Sequence, residues 1–397
     1  MIEKEKATQV TSLLKENGID LWLLIDRESS TMSDPMMDLV VNSGVTWLSF
    51  FLFFADGKKY ALIGNLDVDR IKGLDIFDQV IPYTAEVRQN LLEVLDRHQP
   101  NKIALNYSAD SAMADGLTHG RYLALCSLLQ DTPYLERLQS AEKIIAQLRG
   151  RKSVEEIKLL TEAAVVTQEI FSALSALIRP GMTEKEVAAF IRAERKSRGL
   201  PPAWEEESCP AVFTGPQTTG AHSGPTDRVI EKGHIMNVDF GVRHEKYCSD
   251  MQRTWYFLRD GETVPPAEVL KAFNTLVEVI GACAAAMKPG VNGFEIDSLA
   301  RKILAEGGYE EFPHALGHQI GRLAHDGGGL LAPDWARYGK LPFMALEESQ
   351  VFTIEPRIYL PPFGVATIEE MVVITGNGAE FISPRQTELY IGYGDAK

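Results

Sequence analysis

Over the first 150 residues the apolar positions fall into short runs separated by turns. Residues 4–15 place apolar side chains at helical spacing and stop just before Gly18, which predicts an amphipathic helix. Residues 22–25 predict a short buried strand, and residues 48–54 and 60–63 flank Asp56-Gly57, a β-hairpin turn sequence. A further helix is expected around residues 91–95 and a strand at 103–105. This stretch carries no metal-ligand or nucleophile pattern. A capping, substrate-excluding or dimerising role is expected of it.

The pattern changes near Arg149-Gly150-Arg151-Lys152-Ser153. Ser153 followed by Glu156 forms a capping box that opens a long helix to about Leu177. Two similar segments come next. Arg179-Pro180-Gly181-Met182-Thr183 leads into a helix over 184–196, and Lys288-Pro289-Gly290-Val291-Asn292 leads into one over 295–305. Residues 231–239 likewise align with 347–355, each an acidic turn running into an apolar strand that ends in a carboxylate, Asp239 or Glu355. A second carboxylate follows 11 residues later in the first copy (Asp250) and 14 later in the second (Glu369). Antiparallel hairpins return such pairs to one face. The expectation is a duplicated α/β unit whose copies each give one two-carboxylate hairpin to a central site.

A chain of 397 residues with 45% hydrophobic and 24% charged residues has room for two domains, expected at 1–150 and 151–397. The net charge of −15 argues against a nucleic-acid surface. No apolar run is expected to span a membrane, and residues 1–6 lack a signal-peptide hydrophobic region. The four cysteines are scattered without C-x-x-C spacing, as for reduced thiols in a cytoplasmic protein.

Chemistry concentrates in Pro313-His314-Ala315-Leu316-Gly317-His318, then Thr353-Ile354-Glu355-Pro356 and Ile368-Glu369-Glu370, with Val238-Asp239-Phe240-Gly241 and Cys248-Ser249-Asp250 upstream. Two carboxylates ~4 Å apart repel by about 4 kcal/mol at an effective dielectric near 20. Four together would rival the roughly 5–15 kcal/mol stability of a domain. Such a cluster must take up protons or divalent cations. One imidazole with four carboxylates suits Mn²⁺, Co²⁺ or Zn²⁺, and bridging carboxylates would allow two ions ~3.5–4 Å apart.

These five motifs, in this order, resemble the Xaa-Pro peptidase family (prolidase and aminopeptidase P), which shares the pita-bread catalytic fold with methionine aminopeptidase and creatinase. The resemblance covers about residues 152–389, and the first ~150 residues look like the smaller α/β domain of the creatinase and prolidase branch. It implies two divalent ions per chain, Mn²⁺ preferred, held by Asp239, Asp250, His318, Glu355 and Glu369. Asp250 and Glu369 would bridge, and Glu355 would also shuttle a proton. His222 and His325 match the histidines that touch substrate and steady the tetrahedral intermediate, and His314 a substrate-side residue. Arg337 is the expected cation for the carboxylate of a substrate proline.

The implied activity is hydrolysis of the bond between an N-terminal residue and proline in small peptides. A dipeptidase is preferred over an aminopeptidase acting on longer peptides, with a homodimer compatible. A metal-free creatinase-like enzyme and a catalytically inactive binding module on the same fold are rival readings. The chain departs from the family at Thr367, where Arg is common, at Gln252, where Thr is common, and at Arg357, where Gly is usual. Glu245 and Glu370 are expected to be solvated charges.

Overall fold

Strands β1 (Leu21–Asp26) and β2 (Ser49–Phe54) are buried along their whole length because the sheet that holds them is covered on both faces. The computed structural model describes residues 2–217 and 224–392 and divides into two units, residues 1–149 and 150–397. In the first unit, β1 and β2 join β3 (Lys59–Gly64), β4 (Gln79–Tyr83), β5 (Ile103–Leu105) and β6 (Leu138–Ser140) in one mixed sheet, ordered β4-β3-β2-β1-β5-β6. Alternation along the strands sorts the side chains. Trp22, Leu24, Phe51, Phe53, Ala61 and Ile63 pack with Val10, Leu13 and Leu14 of α1 (Ile2–Asn17). Leu21, Leu23, Ile25, Phe50, Leu52 and Leu62 pack on the other face, with Leu91 and Leu95 of α2 (Arg88–His98) and Leu125 and Leu129 of α3 (His119–Leu129).

The second unit opens with α4 (Val154–Leu177), where Ser153 Oγ accepts from Glu156 N and Glu156 Oε2 accepts from Ser153 N. The duplication is visible atom by atom. Before α5 (Glu184–Ser197), Gly181 N donates to Ile230 O (2.9 Å) and Ile230 N to Met182 O (2.8 Å). Before α7 (Gly293–Glu306), Gly290 N donates to Leu346 O (2.9 Å) and Leu346 N to Val291 O (2.7 Å). Both glycines hold φ of +92°, a conformation that side chains disfavour. Both helices carry capping boxes, Thr183 with Glu186 and Asn292 with Glu295.

Between the copies runs α6 (Ala267–Ala286). Contrary to the expectation of no membrane-length apolar run, this helix is long and apolar enough to cross a bilayer by length and composition. Its apolar residues have a different use. Val269, Phe273, Leu276, Val279 and Ile280 fill the core beneath Ile354, Ile358 and Ile368.

The site is built on two hairpins. The first comprises β8 (Ile235–Phe240), β9 (Arg243–His244), β10 (Tyr247–Cys248) and β11 (Met251–Phe257), with β7 (Ala211–Thr214) and β19 (Tyr390–Gly392) at its sides. Between these in sequence lie β12 (Gly317–His318) and β13 (Leu330–Leu331). The second hairpin comprises β14 (Val351–Ile354), β15 (Arg357–Leu360), β16 (Gly364–Thr367) and β17 (Glu370–Thr375), flanked by β18 (Gly378–Phe381). Each ladder is interrupted once, for two rungs, and resumes in the same register. Phe240 faces Met251 and Arg243 faces Cys248; Ile354 faces Glu370 and Arg357 faces Thr367.

Candidate metal centre

The interrupted rungs are where the carboxylates sit. By register, Glu355 lies opposite Glu369 in the second hairpin, and Asp250 lies opposite Gly241 in the first. Asp239 is two residues earlier, facing Gln252, so its relation to Asp250 is diagonal. Gly241 is required there, since a Cβ would meet Ser249 O at 1.9 Å. Gly317 has the same reason in the second copy, where a Cβ would meet Thr353 O at 2.0 Å. That close approach lets Glu355 N donate to Leu316 O (2.7 Å) and His318 N to Thr353 Oγ1 (3.3 Å), which presses His318 against the end of β14. The two hairpins are tied by Glu369 N donating to Gln252 O (3.2 Å) and by Thr254 Oγ1 donating to Thr367 O (2.6 Å).

His318 Nε2 lies 3.7 Å from Asp250 Oδ2, 3.6 Å from Glu355 Oε1 and 4.0 Å from Glu369 Oε1. One ligand atom each from Asp250, His318 and Glu369 fall within 4.8 Å of one another. Burial, reinforced by the neighbouring carboxylates, pushes Asp250, Glu355 and Glu369 well above the ordinary carboxylate range. Burial pushes Asp239 up to about 7. Asp239 Oδ1 and Glu369 Oε1 are enclosed with no hydrogen-bond partner among the described residues. Buried oxygens in that state are costly in a native fold unless something positive meets them. The donor set therefore fits divalent cations.

His325 stacks edge-on against His318, with ring centroids 4.2 Å apart and planes at 86°, so it borders the cluster. His222 lies outside the described residues. His314 packs on Phe312 at 4.9 Å, its Nδ1 2.8 Å from Ala315 O. Arg337 is exposed on its loop, donates to Pro313 O (2.7 Å) and lies over the rings of Trp335 and Tyr338. Glu245 is solvent-exposed in the turn between β9 and β10.

Glu370 is a correction. It is 1% exposed and pairs with the fully buried Arg253 at 3.2 Å. Arg253 also donates to Glu369 O (2.9 Å), to Gln252 O (2.9 Å) and to Gln168 Oε1 of α4 (3.0 Å), bracing the backbone of Glu369 from behind. Gln252, a departure from the family pattern, donates to Glu355 Oε2 (3.2 Å) and so leaves Oε1 facing His318. Arg253 had a signal in its placement three residues after Asp250, but nothing local marked Glu370 as its partner.

A duplicated α/β fold closing on a buried, carboxylate-rich cation site defines a metalloenzyme. Residues 158–376 match the model of metallopeptidase family M24, and the chain belongs to that family. It is 32% identical over 278 residues to the uncharacterized peptidase YqhT of Bacillus subtilis, covering 70% of this chain and 73% of that one. Among solved structures it resembles an Xaa-Pro dipeptidase from Bacillus anthracis (TM-score 0.74, 25% identity, 98% of this chain and 99% of that one). It also resembles an X-Pro aminopeptidase from Thermotoga maritima (TM-score 0.71, 25% identity, 97% and 99%). The fold is the pita-bread arrangement preceded by a smaller α/β domain, and the chain is a divalent-metal peptidase.

Proposed function

We propose that the chain is an Xaa-Pro dipeptidase, with two cations per chain, Mn²⁺ preferred and Co²⁺ or Zn²⁺ as alternatives. The observation that carries this reading is the grouping of Asp250, His318 and Glu369 with Glu355 beside His318, where buried oxygens of Asp239 and Glu369 have no hydrogen-bond partner among the described residues. Likeness to a solved Xaa-Pro dipeptidase over nearly the whole chain supports the substrate class. Asp239, Asp250, His318, Glu355 and Glu369 would hold the cations, which supply Lewis acidity toward the scissile carbonyl and toward water. Glu355, held on Oε2 by Gln252, would accept and return a proton at Oε1. His325, at the rim beside His318, would donate to the oxygen on which charge develops. His222 is assigned the companion donor role on its spacing from Asp239 alone.

The second reading, an aminopeptidase on longer Xaa-Pro peptides, is favoured by the comparable likeness to the Thermotoga maritima enzyme. Hydrolysis of an Xaa-Pro dipeptide, an Xaa-Pro tripeptide and an Xaa-Ala dipeptide separates the readings. Purified protein would be assayed after chelation and after return of Mn²⁺, Co²⁺ or Zn²⁺. The expected result is metal-dependent cleavage of the Xaa-Pro dipeptide above the other two. Failure to cleave any Xaa-Pro substrate with any of the three metals overturns both readings.

A further inference from the structure

From Ile354 to Tyr359, where β14 passes into β15, buried and less buried residues alternate. Ile354, Pro356 and Ile358 face the core, while Glu355, Arg357 and Tyr359 face the other way. Arg357 is therefore the next residue after Glu355 on the face that carries the cation ligands, about 6.6 Å further along the strand. It is half-buried, and its guanidinium has no hydrogen bond or ion pair to any described residue. The following residue on this face, Tyr359, donates its hydroxyl to Pro216 O (3.1 Å). Arg357 thus stands between the ligand carboxylates and the 215–217 segment. Directly across the ladder is Thr367, which brings no charge.

An Arg stripped of part of its water without a partner is unfavourable unless an anion completes it. The neighbouring carboxylates do not serve: none of those described lies within ion-pair distance of Arg357, and the two cations proposed above would balance them. Arg337, the other candidate cation, is committed to Pro313 O and two aromatic rings.

We propose that Arg357 is the specificity residue that receives the C-terminal carboxylate of the substrate. In a dipeptide that carboxylate lies one residue, about 3.8 Å of Cα spacing, beyond the scissile bond. This is the range covered by a side chain rooted one same-face step from Glu355. A longer peptide presents a neutral amide at that place and leaves the guanidinium unpaired. The forked donors of Arg suit a carboxylate held bidentately. The inference rests on the dipeptidase reading and names the group that enforces it.

The test compares kcat/KM for an Xaa-Pro dipeptide with that for its C-terminal amide, in wild type and in Arg357→Ala, Arg357→Lys and Arg337→Ala. Wild type should prefer the acid. Arg357→Ala should collapse that preference by roughly thirty-fold to several hundred-fold, mainly through KM, as expected for removing one member of a desolvated charge pair. Arg357→Lys should recover part of it. Binding of the dipeptide to chelator-treated protein, followed by calorimetry, should weaken in Arg357→Ala. If wild type prefers the acid and Arg357→Ala keeps that preference, the assignment is overturned while the dipeptidase reading stands. Collapse in Arg337→Ala alone also overturns it. If wild type treats acid and amide alike, the dipeptidase reading fails and takes this assignment with it.

Discussion

Lys152 Nζ lies 3.0 Å from Asp326 Oδ2, with both side chains shut away from solvent. Asp326 holds the turn that presents His325. Its backbone N donates to Gln319 O (2.9 Å), and its Oδ1 accepts from Leu323 N (3.3 Å). Lys152→Met should destabilise the protein by about 3–5 kcal/mol, because one charge of a buried pair is left behind. Lys152→Met combined with Asp326→Leu should be more stable than Lys152→Met alone. Urea midpoints of the three proteins check this. A single variant as stable as wild type would mean that the pair contributes nothing to the turn.

Glu369→Ala and Asp250→Ala should each abolish binding of at least one cation and nearly all turnover. Elemental analysis of dialysed protein gives the first quantity and a peptide assay the second. Normal turnover with a full metal complement in either variant would remove the basis for their ligand role.

His325→Ala should keep its metal and lose rate, by roughly 10²–10³ in kcat if it donates to the developing charge. His222→Ala should behave in the same way. A variant that loses metal instead identifies that histidine as a ligand.

The carboxyl cluster makes the chelated protein pH-sensitive in a definite direction. Asp239 has a folded pKa of about 7 against the ordinary 3.8, and Asp250, Glu355 and Glu369 are raised as well. A group whose pKa rises on folding binds its proton more tightly in the folded state. Its contribution is full below the unfolded pKa and is lost as pH climbs through the folded one. The thermal midpoint of metal-free protein should therefore fall between about pH 5 and pH 7.5, whereas the metal-loaded protein should lack this fall because cations replace the protons. A metal-free midpoint that rises over that interval would contradict the assignment.

Asp239 and Glu355 were legible because each stands at the end of an apolar strand, and Asp250 and Glu369 because the chain says the same thing twice. Gly181 and Gly290, with Thr183 and Asn292 behind them, repeat a turn closely enough to be read as letters. Glu370 was not legible. Neighbouring strand residues point to opposite faces, so Glu369 toward the site implied Glu370 away from it. Whether "away" meant water or protein depended on α4, whose Phe171 ring lies under the Arg253 guanidinium. The partner of Glu370 sits 117 positions upstream, beyond any local pattern. The apolar length of α6 carried a related ambiguity, since a helix sealed between strands and one crossing a bilayer share composition. Arg357 was visible as a departure from the family; only the strand register gave it a direction.

The paired hairpins have a mechanical consequence. Asp239 and Asp250 are separated from Glu355 and Glu369 by roughly a hundred residues of chain, and a cation held by both pairs, as proposed above, would tie off that length as a removable crosslink does. Chelators should then do more than silence the enzyme: they should unclasp it, lengthening the leash between its two copies and opening the intervening segment to proteases. Time to digestion, read alongside residual metal, would report the clasp directly.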